Sequence, residues 1–135
     1  MDTKRRILVP VKWRAEEAAE EALTVVIWRG HAVGICLRVL PPAEMAKLRQ
    51  AINTTEDLAH RGILKRLVGA DSEQVTPDSA GRLLLPERMV KEAGLENGAV
   101  LVGQLDYFEI WNPKLYERQR VVDEVMAPAA FKPLN

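Results

Sequence analysis

Two arginines stand out as groups that could do chemistry, because the chain presents both in one setting. DTKRRILVP at 2–10 and DSAGRLLLP at 78–86 each read Asp, three residues, Arg, three apolar residues, Pro. The planar guanidinium offers parallel donors, which suits phosphate oxygens and the edge of guanine. A strand arriving at the arginine, with a helix pinned by the proline, would hold that fork at a fixed place on a barrel rim. Asp2 with Arg6, and Asp78 with Arg82, can equally be turn-closing ion pairs with no ligand. The two roles are compatible, the carboxylate orienting the arginine.

Charge placement points the same way. The 135 residues carry 19 Lys and Arg against 19 Asp and Glu. Residues 1–70 hold 12 basic and 8 acidic side chains, and residues 71–135 hold 7 and 11. The front of the chain is therefore basic and the rear acidic, and distribution governs nucleic-acid attraction more than the sum does. Lys4, Arg5, Arg6, Lys12 and Arg14 have only Asp2 as a local counter-charge. A solvated surface is the bland reading of such a run; phosphate neutralisation is the sharper one.

Other chemistry is sparsely represented. His31 and His60 are the two histidines, and neither has metal-ligand spacing to Cys36 or to the other. His60 falls on one helical stripe with Ile63, Leu64, Leu67 and Val68, so it reads as a core histidine. Ser72 and Ser79 lack a nucleophile elbow, and the glycines punctuate turns instead of cradling a phosphate. Cys36 in GICLRVL reads as a buried strand residue. No catalytic residue, metal or cofactor is expected, so the chain is not read as an enzyme. One cysteine permits no disulfide framework, and no apolar run approaches the roughly 20 residues of a membrane span. A cytoplasmic protein is expected.

The elements that must position these groups repeat as well. In the second copy Arg82–Leu85 is a strand, Pro86 suits a first helical position, and Gly94 suits a left-handed cap after a helix over Glu87–Ala93. Gly98 opens a strand over Ala99–Val102, GQLD turns into Tyr107–Trp111, and Asn112-Pro113 starts a helix. The tail APAAFKPLN has little to pack and is expected to be mobile. In the first copy an acidic helix, RAEEAAEEAL, precedes strands at Thr24–Trp28 and Val33–Val39. Pro41 and Pro42 then open a helix bearing Met45, Leu48 and Ile52. Thr54 with Asp57 resembles a capping box for a further helix ending near Gly69.

DSAGRLLLP, EAGL at 92–95, VLVGQLDYFEIW at 100–111 and NPKLYE at 112–117 closely resemble the second half of the MraZ family of bacterial transcriptional regulators, associated with the division and cell-wall gene cluster. RGILKRLVGADSEQV at 61–75 resembles the segment linking that family's repeats. The resemblance implies an α+β fold: a double-split, swapped-hairpin β-barrel built from two tandem AbrB-like repeats plus linking and C-terminal helices. It implies a first repeat over about 1–52, a linking helix over about 54–70, a second repeat over about 71–126 and a tail at 127–135. It further implies a homo-oligomer, ring-shaped, nucleoid-associated, binding direct repeats in double-stranded promoter DNA. The motif residues carried over are Asp2 and Arg6, then Asp78 and Arg82; Lys4, Arg5, Lys12 and Arg14 are the expected phosphate contacts.

The first copy departs from the family pattern. Arg5 stands where the family has glycine, as Gly81 does in the second copy, so the first turn is expected to be reshaped. Only Met1 precedes Asp2, whereas Ser72–Pro77 supplies the second copy with a leading strand. That leaves open a late gene start, a barrel edge open to another chain, or a first half that has drifted from DNA binding. The last would make the protein a divergent AbrB-like interaction or scaffold module.

Overall fold

Alternating apolar side chains organise the chain into two antiparallel sheets with helices between and after them. The computed structural model describes residues 5–9 and 22–135. In order these form β1 (Arg6–Leu8), β2 (Leu23–Trp28), β3 (Cys36–Leu40), α1 (Pro42–Asn53), α2 (Leu58–Ala70), β4 (Ser72–Val75), β5 (Arg82–Leu84), α3 (Glu87–Glu92), β6 (Val100–Gly103), β7 (Phe108–Trp111) and α4 (Pro113–Phe131), with a closing 3-10 turn at Lys132–Leu134. β1 and β5 make a two-stranded ribbon, and the other five strands a sheet in the order β4-β2-β3-β7-β6.

The register makes the internal repeat explicit. The offset that carries Arg6 onto Arg82 and Val9 onto Leu85 also carries Val25 of β2 onto Leu101 of β6. After the hairpin turn a smaller offset carries Leu37 onto Phe108, Val39 onto Ile110 and Pro42 onto Pro113, because the second hairpin loop is shorter. β2-β3 and β6-β7 thus mirror one another across the β3-β7 seam, where Leu37 faces Ile110 and Val39 faces Phe108. Strands also cross between copies. β1 pairs with β5, and β4, the leading strand of the second copy, pairs with β2 of the first.

One face of the sheet packs under the ribbon. Leu23, Val25, Ile27, Leu37, Val39, Phe108 and Ile110 join Ile7, Val9, Leu83 and Leu85 in a single buried cluster, closed at the side by Met89, Val90 and Leu95 from α3 and its cap. Burying such side chains stabilises by about 1.5–3 kcal/mol each, so the paired repeats share one core and neither completes it alone. Gly94 takes φ +65, the left-handed value that ends α3, as its position predicts.

Several expectations are corrected. The acidic stretch 14–21 lies outside the described residues, and Leu23 opens β2 instead of closing a helix. β3 begins at Cys36, after a turn at 31–34 closed by the Gly34 N–H to the His31 carbonyl, and β6 begins at Val100. Thr54 does not cap α2: its hydroxyl donates back to the Gln50 carbonyl and closes α1, while Asp57 accepts from the His60 N–H as the cap of α2. His60 is not a core histidine. It is exposed in the first turn of α2, a helix with no buried residue among those described, and its ring faces Asp57. The tail is helical: α4 runs through Pro128 to Phe131, with Pro128 removing one backbone bond from the helix. No helix among the described residues is long and apolar enough to cross a membrane.

Candidate functional site

In the second copy the Asp-xxx-Arg motif is a self-closing turn. Asp78 Oδ1 accepts from the backbone N–H groups of Ala80 and Arg82, both at 2.9 Å, and its Oδ2 accepts from Arg82 Nε at 3.0 Å. The Gly81 N–H donates to the Asp78 carbonyl, and the Asp78 N–H to that of Arg82. The backbone bond from Arg82 works against a small desolvation cost and, with the bond from Ala80 and the nearby guanidinium, holds the Asp78 carboxyl below its ordinary value. The turn requires a left-handed residue, and Gly81 supplies it at φ +78.

Arg5, at the matching position, adopts φ +62. At this position the arginine takes the glycine conformation at a steric cost of roughly 1–2 kcal/mol; the rest of that turn, residues 2–4, lies outside the described residues. The Arg5 guanidinium sits 3.4 Å from the Glu87 carboxylate, across the ribbon in α3. The two left-handed residues act reciprocally: the Arg5 carbonyl accepts from Leu85 N–H, and the Gly81 carbonyl from Val9 N–H, both at 2.9 Å.

These turns frame the ribbon. Arg6 pairs with Leu84, Ile7 with Leu83, and Leu8 with Arg82. Ile7 and Leu83 point into the core, so alternation sends Arg6, Leu8, Arg82 and Leu84 to the other face. Leu8 is 57% exposed and Leu84 51%. One outward surface thus carries two arginines on a diagonal, roughly 7–8 Å apart at the backbone, interleaved with two exposed leucines. Of the other residues expected here, Asp2, Lys4, Lys12 and Arg14 lie outside the described residues; Arg5, Arg6, Asp78 and Arg82 are brought together.

A second constellation, on the opposite face of the five-stranded sheet, was not visible in the sequence. Glu109 of β7 is 1% exposed, yet every carboxylate oxygen is satisfied. Its Oε2 accepts from Arg38 Nε at 2.8 Å and lies 3.1 Å from His31 Nε2 and 3.6 Å from Cys36 Sγ; its Oε1 accepts from Gln104 Nε2 at 2.8 Å and Trp111 Nε1 at 3.1 Å. The Arg38 guanidinium stacks on Trp28, 3.6 Å from the ring centre. Burial raises the Glu109 carboxyl, but the bonds from Arg38, His31 and Trp111 outweigh it and hold the group below its ordinary value. Burial, then the Glu109 charge, pushes the Cys36 thiol far up, so in this arrangement it is no nucleophile. The signal that could have found this network is a lone glutamate inside the apolar strand FEIW.

The described residues define a repeat protein whose two halves exchange strands and whose paired arginines sit on a solvent-facing β ribbon. Residues 68–127 match the family model described as "MraZ protein, putative antitoxin-like". The protein named "Transcriptional regulator MraZ" of Rickettsia rickettsii (strain Sheila Smith) is 32% identical over 119 residues, covering 87% of this chain and 79% of the relative. That of Proteus mirabilis (strain HI4320) is 33% identical over 137 residues, covering 100% of this chain and 89% of the relative. The chain belongs to the MraZ family.

Proposed function

We propose that this chain is a sequence-specific DNA-binding transcriptional regulator of the MraZ type, acting as a cytoplasmic, nucleoid-associated homo-oligomer on promoter repeats of the division and cell-wall gene cluster. The observation that carries this reading is the β1-β5 ribbon with Arg6 and Arg82 on its outward face. A B-DNA major groove admits a two-stranded ribbon, arginine reads guanine through a bidentate pair, and apolar side chains meet thymine methyl groups. Leu8 and Leu84 suit the last role. In this reading Asp2 and Asp78 orient the arginines, and Lys4, Arg5, Lys12 and Arg14 neutralise phosphates.

The ribbon and the five-stranded sheet close a double-split barrel, with a first repeat over about 1–52, the linking helix over about 54–70, and a second repeat over about 71–126. The exposed apolar side chains Ile63 and Leu67 of α2, and Val121, Val122, Val125 and Met126 of α4, support an oligomer. With the neutral total charge they also support a second reading, an AbrB-like protein-interaction module that has lost DNA binding.

Fluorescence anisotropy with DNA from upstream of the chain's own gene, against scrambled DNA over a range of salt, tests the two. Tighter binding to the native sequence that weakens steeply with salt is expected. Arg6→Ala and Arg82→Ala should each weaken native-site binding roughly 5- to 150-fold, with a smaller effect on scrambled DNA. Equal losses on both DNAs would remove base reading. No binding at low salt by a folded oligomer would leave the interaction module.

A further inference from the structure

The buried network around Glu109 contains three atoms that commonly bind metal. His31 Nε2, Cys36 Sγ and a Glu109 carboxylate oxygen all lie within 4.8 Å of one another. They come from the loop between β2 and β3, the first residue of β3, and the middle of β7. His31 and Cys36 belong to the first copy of the repeat and Glu109 to the second, which is why no sequence spacing announces the group. We propose that His31, Cys36 and Glu109 form a three-ligand site for a borderline-soft divalent cation of the zinc type.

Two of the three ligand-to-ligand distances suit that ion. Zinc binds sulfur at about 2.3 Å and histidine nitrogen or carboxylate oxygen at about 2.0–2.2 Å, which in a tetrahedron puts the ligand atoms roughly 3.3–3.6 Å apart. The Glu109 oxygen lies 3.1 Å from His31 Nε2 and 3.6 Å from Cys36 Sγ. One thiolate, one imidazole and one carboxylate select against calcium and magnesium, which prefer oxygen alone.

The surroundings are those of an oriented ligand set. Arg38 bonds to the Glu109 oxygen that faces His31 and Cys36, while Gln104 and Trp111 hold the other oxygen, so the carboxylate has one available direction. Such outer partners fix ligand geometry. The His31 side chain is partly exposed and gives solvent access to the site. Cation uptake replaces the Cys36 S–H bond with a sulfur–metal bond and releases that proton to water, and the proton that His31 Nε2 donates to Glu109 leaves that nitrogen, for Nδ1 or for water, so that Nε2 can bind the ion. The thiolate and the carboxylate together balance the two positive charges of the ion, and the Arg38 charge remains in excess. The bound ion would clamp the β2-β3 loop of the first copy to β7 of the second.

Cobalt(II) tests this on the full-length chain after chelator treatment. Cys36 is the chain's one cysteine, so a thiolate-to-cobalt charge-transfer band reports this site alone. The expected result is a band that saturates at one equivalent per chain, disappears on adding zinc, and accompanies a higher melting temperature. Cys36→Ser should abolish the band. His31→Gln, at a partly exposed position, should keep the fold by circular dichroism and weaken cobalt binding at least tenfold. A folded chain that shows no band at a hundredfold excess of cobalt overturns the proposal. So does a band whose affinity is unchanged in His31→Gln. Neither outcome depends on DNA binding.

Discussion

At the scale of single residues the two copies of the turn differ in one instructive place. Gly81 and Arg5 occupy equivalent positions, and both are left-handed, at φ +78 and +62. Glycine visits that region freely, whereas a residue with a Cβ does so at a cost of roughly 1–2 kcal/mol. The reciprocal backbone bonds from Leu85 and Val9 demand the same geometry of Arg5 and Gly81, and the strain at Arg5 follows from that demand. Gly81→Ala should therefore destabilise the fold by about 1–2 kcal/mol, and Arg5→Gly should stabilise it by up to about 1 kcal/mol, less the added freedom of the unfolded chain. Chemical denaturation checks both. A stabilising Gly81→Ala would contradict the conformational argument. The arginine at position 5 also adds a positive charge beside Arg6 that glycine could not supply.

At the scale of elements, the hairpins β2-β3 and β6-β7 are joined twice, by the ladder along the β3-β7 seam and by the Glu109 side chain on the far face. Removing one partner of a buried ion pair leaves the other charge unsatisfied, typically at about 3–5 kcal/mol. Glu109→Ala, measured in chelator, should cost an amount in that range and strip Arg38, Gln104 and Trp111 of their shared acceptor; a loss below about 1 kcal/mol would mean water substitutes for the carboxylate. The sequence made the strands, α3 and the start of α4 legible, because proline, glycine and Asn112 mark their ends by backbone chemistry that operates within a few residues. Asn112 does accept from the Lys114 and Leu115 N–H groups, as its place before Pro113 predicts. What was illegible depends on distant partners. His60 sits on an apolar stripe that looks like a core face, yet α2 packs so lightly that the stripe faces solvent. The Glu109 network joins residues up to 78 positions apart, a separation that no local pattern encodes. The turn motif was legible as Asp, three residues, Arg, because every bond that closes it lies within five residues.

At the scale of the whole molecule, the two long outer helices leave apolar side chains in water. α4 presents Val121, Val122, Val125 and Met126, and α2 presents Ile63, Leu64 and Leu67, with no buried residue in either among those described. A monomer seldom exposes such surface, and two different patches suit heterologous contacts in the proposed oligomer. Val122→Lys combined with Val125→Glu should reduce the assembled mass measured by light scattering while leaving the far-ultraviolet circular dichroism spectrum unchanged. An unaltered mass would exclude α4 from the contact.

The exchange of strands between copies also has a consequence for biogenesis. β1 waits for β5, β2 for β4, and β3 for β7. The ribosome emits β3 some 70 residues ahead of its central partner, which at about 5–20 residues per second is a delay of roughly 4–14 seconds. Throughout that interval the nascent first copy carries Val25, Ile27, Leu37 and Val39 without the side chains that bury them. Such non-local pairing also slows folding after release. A cell making this protein therefore has to shield an incomplete apolar hairpin during every round of translation, and codon changes that slow elongation between residues 40 and 108 would lengthen that exposure.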